Sequence, residues 1–129
     1  MSVKVEGVID LPHVNLKEIA DIYDFLHFMH ENNIFNLSDW TISLSEKEKC
    51  LKIKHKSRSW SYVYIFDNGK VEWDAHYQET VSFKDALLSK IREYYPMYKK
   101  AMEFAEKYKA KTISFDKEKE KIILEVYDD

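Results

Sequence analysis

Val71-Glu72-Trp73-Asp74-Ala75-His76-Tyr77 alternates like a strand, and from Ser82 to about Lys109 the pattern changes to a helical period. In that second part Phe83, Leu87, Ile91, Tyr94, Tyr98, Ala101 or Met102, Ala105 and Tyr108 keep one face. A strand feeding a long amphipathic helix, in a chain otherwise rich in hairpin signals, predicts an α+β fold. Pro96 interrupts the helical run. A proline inside a helix removes one hydrogen bond and clashes with the preceding turn, at about 3 kcal/mol; at the first position of a helix it is well accommodated. The sequence therefore predicts a break or sharp kink at Tyr94-Tyr95-Pro96, with the apolar stripe in phase on both sides. Tyr94, Tyr95 and Tyr98 gather at that joint and are candidate binding residues. Their hydroxyls would either line a binding surface or reach water from a packed ring.

Working outward, Val3 to Ile9 reads as a strand, and Leu11-Pro12-His13 as a connector, because proline biases the residue before it away from helix. Asn15, with Glu18 three residues on, approximates a capping box for a helix that carries Leu16, Ile19, Ile22, Tyr23, Leu26 and Met29 on one face. Asn32-Asn33 should end it, since asparagine tolerates left-handed geometry. Trp40, Ile42 and Leu44 alternate with polar residues, as do Leu51, Ile53 and His55 with Lys52, Lys54 and Lys56, predicting a hairpin with one buried face. Trp60, Tyr62, Tyr64 and Phe66 are expected on the core face of the next strand, with Val63 and Ile65 making its other face partly apolar. Asn68-Gly69 marks a hairpin turn with positive φ at two positions. Thr112 to Phe115 and Ile122 to Val126 form a last hairpin. The expected order is β-α-β-β-β-β-α-β-β, a mainly antiparallel sheet with two helical segments on one face, in one domain spanning residues 1–129.

Composition excludes several classes. The chain has 129 residues, 45% hydrophobic and 33% charged, too apolar for disorder. A net charge of −3 argues against a surface that grips nucleic acid all round. The single cysteine, Cys50, allows no intrachain disulfide and no cysteine-rich zinc site, which fits a reducing, cytoplasmic setting. No run approaches the roughly 18 apolar residues of a membrane span, and the first residues lack the apolar core of a signal peptide. Lys and Glu are abundant while Gln78 is the only Gln, a bias shared by thermophile proteins and by low-GC genomes. With Gly69 alone between Gly7 and the C-terminus, neither a P-loop nor a dinucleotide fingerprint is present. No cofactor is expected.

Three groups of side chains could carry chemistry. Asp24, His27, His30 and Glu31 lie three and four residues apart on the first helix, a spacing at which neighbouring turns share a metal or an ion-pair network. A metal site would need a further ligand, and His13 and His76 are the other candidate histidines. Glu72, Asp74 and His76 share one strand face, where they would serve acid–base chemistry or form a solvated sheet face. Lys52, Lys54, Lys56 and Arg58 make a basic stretch that could track a phosphate backbone or guard a strand edge. Cys50 has Lys49 and Lys52 near in sequence, which would activate the thiol unless it is buried.

The strand ending in Tyr77, the short link, Phe83-x-x-x-Leu87, Lys90-Ile91, the pair Tyr94-Tyr95, Ala105 and a closing hairpin form one further pattern. In these features the segment Trp73 to Phe115, followed by Ile122 to Val126, resembles a small domain-of-unknown-function family of cyanobacteria and plastids. The resemblance covers about a third of the chain, and Pro96 departs from it. That family has no assigned activity, so it transfers no functional residue. The expected function is that of a small non-catalytic binding or regulatory protein, with a protein partner or self-association and no membrane. The alternatives are nucleic-acid binding through Lys47 to Arg58 and a metal-dependent enzyme using Asp24, His27 and His30.

Overall fold

The chain folds as β1 (Lys4–Val8), α1 (Ile19–Glu31), β2 (Trp40–Ser45), β3 (Cys50–His55), β4 (Tyr62–Phe66), β5 (Lys70–Asp74), α2 (Gln78–Tyr108), β6 (Thr112–Asp116) and β7 (Lys121–Glu125). This is a computed structural model that describes residues 4–8, 19–58, 60–110 and 112–125. The expected helix cap at Asn15, the histidine at position 13 and the residues after Glu125 lie outside the described residues. The expected order of elements is the observed one, and the fold is α+β with antiparallel pairing throughout.

Strands β2 to β5 form a meander of hairpins, and β1 returns to the outer side of β5. The resulting five-stranded sheet has the order β1-β5-β4-β3-β2, and β6-β7 is a separate two-stranded hairpin. Turn chemistry explains the reversals. Lys49, Gly69 and Glu120 take positive φ (55°, 87° and 50°) at the three tight hairpins. At Asn68-Gly69 only the glycine is left-handed; the Asn68 side chain instead accepts the Lys70 N–H at 2.9 Å, holding the turn from outside the backbone. Asn33, at φ 58°, ends the first helix as its sequence predicts.

Registry sets the core. Ile42, Ile53, Val63 and Trp73 lie side by side across β2, β3, β4 and β5, and Leu44, Leu51, Ile65 and Val71 form the next row. Both helices cover this face. Ile22, Phe25, Leu26, Phe28 and Met29 of α1 and Leu87, Leu88, Ile91, Tyr95 and Tyr98 of α2 join it in one buried cluster. Phe25 and Phe28 widen the apolar stripe of α1 beyond the face that spacing alone selected. Phe83 stacks on Trp40 at 3.8 Å between ring centres, tying α2 to the edge strand β2. The β6-β7 hairpin packs on the helices: the Phe115 N–H donates to Asn32 Oδ1 at 3.2 Å, and the Phe115 ring meets Tyr94 edge-on at 5.7 Å.

Three expectations are corrected. The second helix starts at Gln78, four residues before Ser82, and its N-terminus has no side-chain cap. The helix does not break at Pro96; it runs as one element of 31 residues. The carbonyl that loses its N–H partner belongs to Arg92, an exposed residue. A buried stripe runs on both sides of Pro96, from Leu87, Leu88 and Ile91 to Tyr98 and Ala105, and holds the two halves in one element. The third correction concerns β4, whose faces are reversed. Val63 and Ile65 are fully buried, whereas Tyr62, Tyr64 and Phe66 point away from the helices and Trp60 is 46% exposed. The short β-branched pair fits beneath the tightly packed helices, and the wide rings are displaced to the open side.

Candidate functional site

The open side of the sheet is the consequence of that reversal. Its middle row runs Ser43, Lys52, Tyr64, Glu72, Glu6 across all five strands. Beside it lie Thr41, Lys54 and Tyr62 on one side, and Ser45, Cys50 and Phe66 on the other. Tyr62 and Tyr64 are paired ring to ring at 4.7 Å, and the Lys52 and Lys54 ammoniums stand 5.6 and 5.9 Å from the centre of the Tyr64 ring. At such distances a cation is attracted to the ring face. Among the described residues no helix or strand packs on this face, and its rings are half-buried.

Charge divides the face. Lys52 and Lys54 give the β3 side a positive character, although Glu48 reaches Lys52 from the β2-β3 turn at 2.8 Å. On the β5 and β1 side, Glu6 and Glu72 are matched by Lys4 and Lys70, which bind them at 2.6 to 3.5 Å. The hydrogen bond from Lys70, with the nearby ammonium charges, holds the Glu6 carboxyl below the usual carboxylate range. Burial, then the charges of Glu72 and its neighbours, pushes the Tyr62 hydroxyl up, so it remains a protonated donor at neutral pH. Asp74 is fully buried and its Oδ1 accepts the His76 N–H at 3.0 Å, turning the chain from β5 into α2. The expected solvated trio is therefore split: Asp74 is structural, Glu72 is largely covered and His76 is exposed.

The basic stretch is divided as well. Lys52 and Lys54 stay on the open face. Lys56, past the end of β3, lines a small cleft with His27 and His30 under the β2 edge. Arg58 turns toward α2, pairing with Glu79 at 2.6 Å beside His55. Next to it the buried Ser61 and Thr80 hydroxyls bond at 2.8 Å, so this corner clamps the β3-β4 loop to the start of α2.

Tyr95 and Tyr98 are core residues first, fully buried and 6% exposed, with Phe25 against both rings. They also floor a cleft of about 610 Å³ between the two helices and β6, with Asp21, Asp24, Glu103 and Glu106 around it and Lys99 as its cation. Burial, and then Asp24, Asp21 and Glu31, push the Tyr98 hydroxyl up to about 12. Tyr94 points elsewhere, to Phe115, so the three tyrosines do not form one surface.

Asp24, His27, His30 and Glu31 do not converge. Among the described residues no group of three or more His, Cys, Asp or Glu could hold a metal ion. His30 Nδ1 accepts the Leu37 N–H at 3.1 Å, bracing the loop after α1, and His27 packs edge-on to Tyr23. Cys50 is buried and its thiol pushed up by burial, the opposite of an activated nucleophile. No helix among the described residues is long and apolar enough to cross a membrane. Comparison with known proteins finds no family model, no curated protein and no solved structure that matches this chain.

Proposed function

We propose that this is a non-catalytic binding protein whose working surface is the open face of the five-stranded sheet, where it engages another protein. One observation carries the reading. The Tyr62–Tyr64 pair, with two lysine ammoniums beside it, occupies the middle of a sheet face that no described element covers. Core packing accounts for Tyr95 and Tyr98, but nothing inside the fold requires rings at Tyr62 and Tyr64. Tyrosine suits interfaces because it offers a large apolar ring with a polar tip at little entropic cost. A reducing, cytoplasmic setting fits a chain whose one thiol is buried. A photo-crosslinking residue at Tyr64, compared with one at the exposed Lys100 of α2, tests the reading in cells. Crosslinks to protein from position 64 alone support it; equal or absent crosslinking from both positions removes it.

The ammoniums at Tyr64 favour a second reading, single-stranded nucleic acid with bases stacked on Tyr62 and Tyr64 and phosphates on Lys52 and Lys54. With Lys56 and Arg58 directed elsewhere, the cationic track is short. Titration of a labelled oligoribonucleotide at low and high salt decides it, since phosphate contacts make binding fall steeply with salt.

A further inference from the structure

We infer that the partner of the open sheet face is a second copy of this chain, packed face to face about a two-fold axis that runs along β4 between the two sheets. This rests on the reading of that face as the binding surface and adds its occupant. Across the middle row the charges stand in order: Lys52, then the neutral Tyr64, then Glu72 and Glu6, on consecutive strands β3, β4, β5 and β1. A closed dimer uses the same patch twice, so the patch must complement itself.

Two in-plane axes are available. An axis across the strands lays β3 over β3 of the second copy, and sets Lys52 and Lys54 against the same two lysines. The axis along β4 lays β3 over β5 instead. Each Lys52 then meets Glu72 of the second copy, twice by symmetry, while Tyr64 meets Tyr64 on the axis. The charge pattern selects this arrangement, and aligned sheets packed face to face are a common mode of association. The face spans about 24 Å by 17 Å, from five strands of five residues at standard spacings, or about 400 Å² per copy. This is at or below the small end of specific interfaces, so the dimer is reversible and depends on concentration.

Sedimentation of the full chain from about 5 µM to about 500 µM, a range that spans weak association, tests the inference together with two variants. The wild type should shift toward twice the monomer mass as concentration rises. Lys52→Glu should remain monomeric over that range, because it sets like charges opposite each other at both symmetric contacts. Adding Glu72→Lys to it should restore the dimer, since the exchanged charges again face their opposites. Circular dichroism confirms that each variant is folded. A wild type that stays monomeric, a dimer indifferent to Lys52→Glu, or a double variant that fails to recover would each overturn the second copy as occupant. Crosslinking from position 64 to a different protein, or binding of the oligoribonucleotide, would keep the face as a binding surface while overturning the dimer. An inert position 64 would remove the surface itself.

Discussion

Tyr98 shows how a core residue acquires an electrostatic role. Its ring packs on Phe25 and Phe28 at about 5 Å, and its hydroxyl, raised to about 12, sits near Asp24 and Asp21. An unfolded tyrosine ionises near pH 10. The folded value is the higher one, so this contribution to stability is fully present below about pH 10 and is lost as pH rises toward 12. Alkaline titration followed by tyrosinate absorbance should show a phenol titrating near pH 12 that Tyr98→Phe removes. The buried Ser61–Thr80 pair gives a second expectation at this scale. Thr80→Val leaves the Ser61 hydroxyl without its 2.8 Å partner and should cost about 1–3 kcal/mol in denaturant unfolding. A loss within error of zero would show that water replaces the bond.

At the scale of elements, α2 carries a proline because its tertiary contacts outweigh the local cost. Leu87, Leu88 and Ile91 before Pro96, and Tyr98 and Ala105 after it, are buried along one side. Pro96→Ala should therefore stabilise the protein by about 1–3 kcal/mol, the interior proline penalty less the gain in unfolded-chain freedom, with unchanged helical content. Destabilisation would mean that the ring itself is needed for packing. The helix ends on Lys109 in the left-handed region at φ 52°. Lys109→Gly should add about 0.5–1 kcal/mol there, because glycine adopts that geometry without strain.

For the whole molecule, the sheet and both helices share one buried cluster, to which the β6-β7 hairpin adds Ile113, Phe115 and Ile122 from outside. Phe115→Ala removes the ring that meets Tyr94. It should raise hydrogen exchange in β6 and β7 while leaving β3 and β4 protected, because the hairpin pairs only with itself. Phe25→Ala, at the centre of the cluster, should cost about 3–5 kcal/mol and loosen all layers together.

The order of elements could be read from the sequence because it depends on local physics: period-two and period-3.6 spacing, Asn33 and Gly69 at reversals, and short links between them. What local pattern could not decide was which side of β4 faces the helices. Tyr62, Tyr64 and Phe66 are as apolar by composition as Val63 and Ile65, so the strand offers two hydrophobic faces and its register with β3 chooses between them. That register pairs Ile53 with Val63 and Lys52 with Tyr64, and a one-residue difference exchanges every side chain between core and surface. The fate of Pro96 was decided in the same way, by burial on both sides of the ring. The sequence by itself determined the elements and their order; only the tertiary structure decided which rings are core and which are offered to a partner, because burial depends on pairing between distant segments.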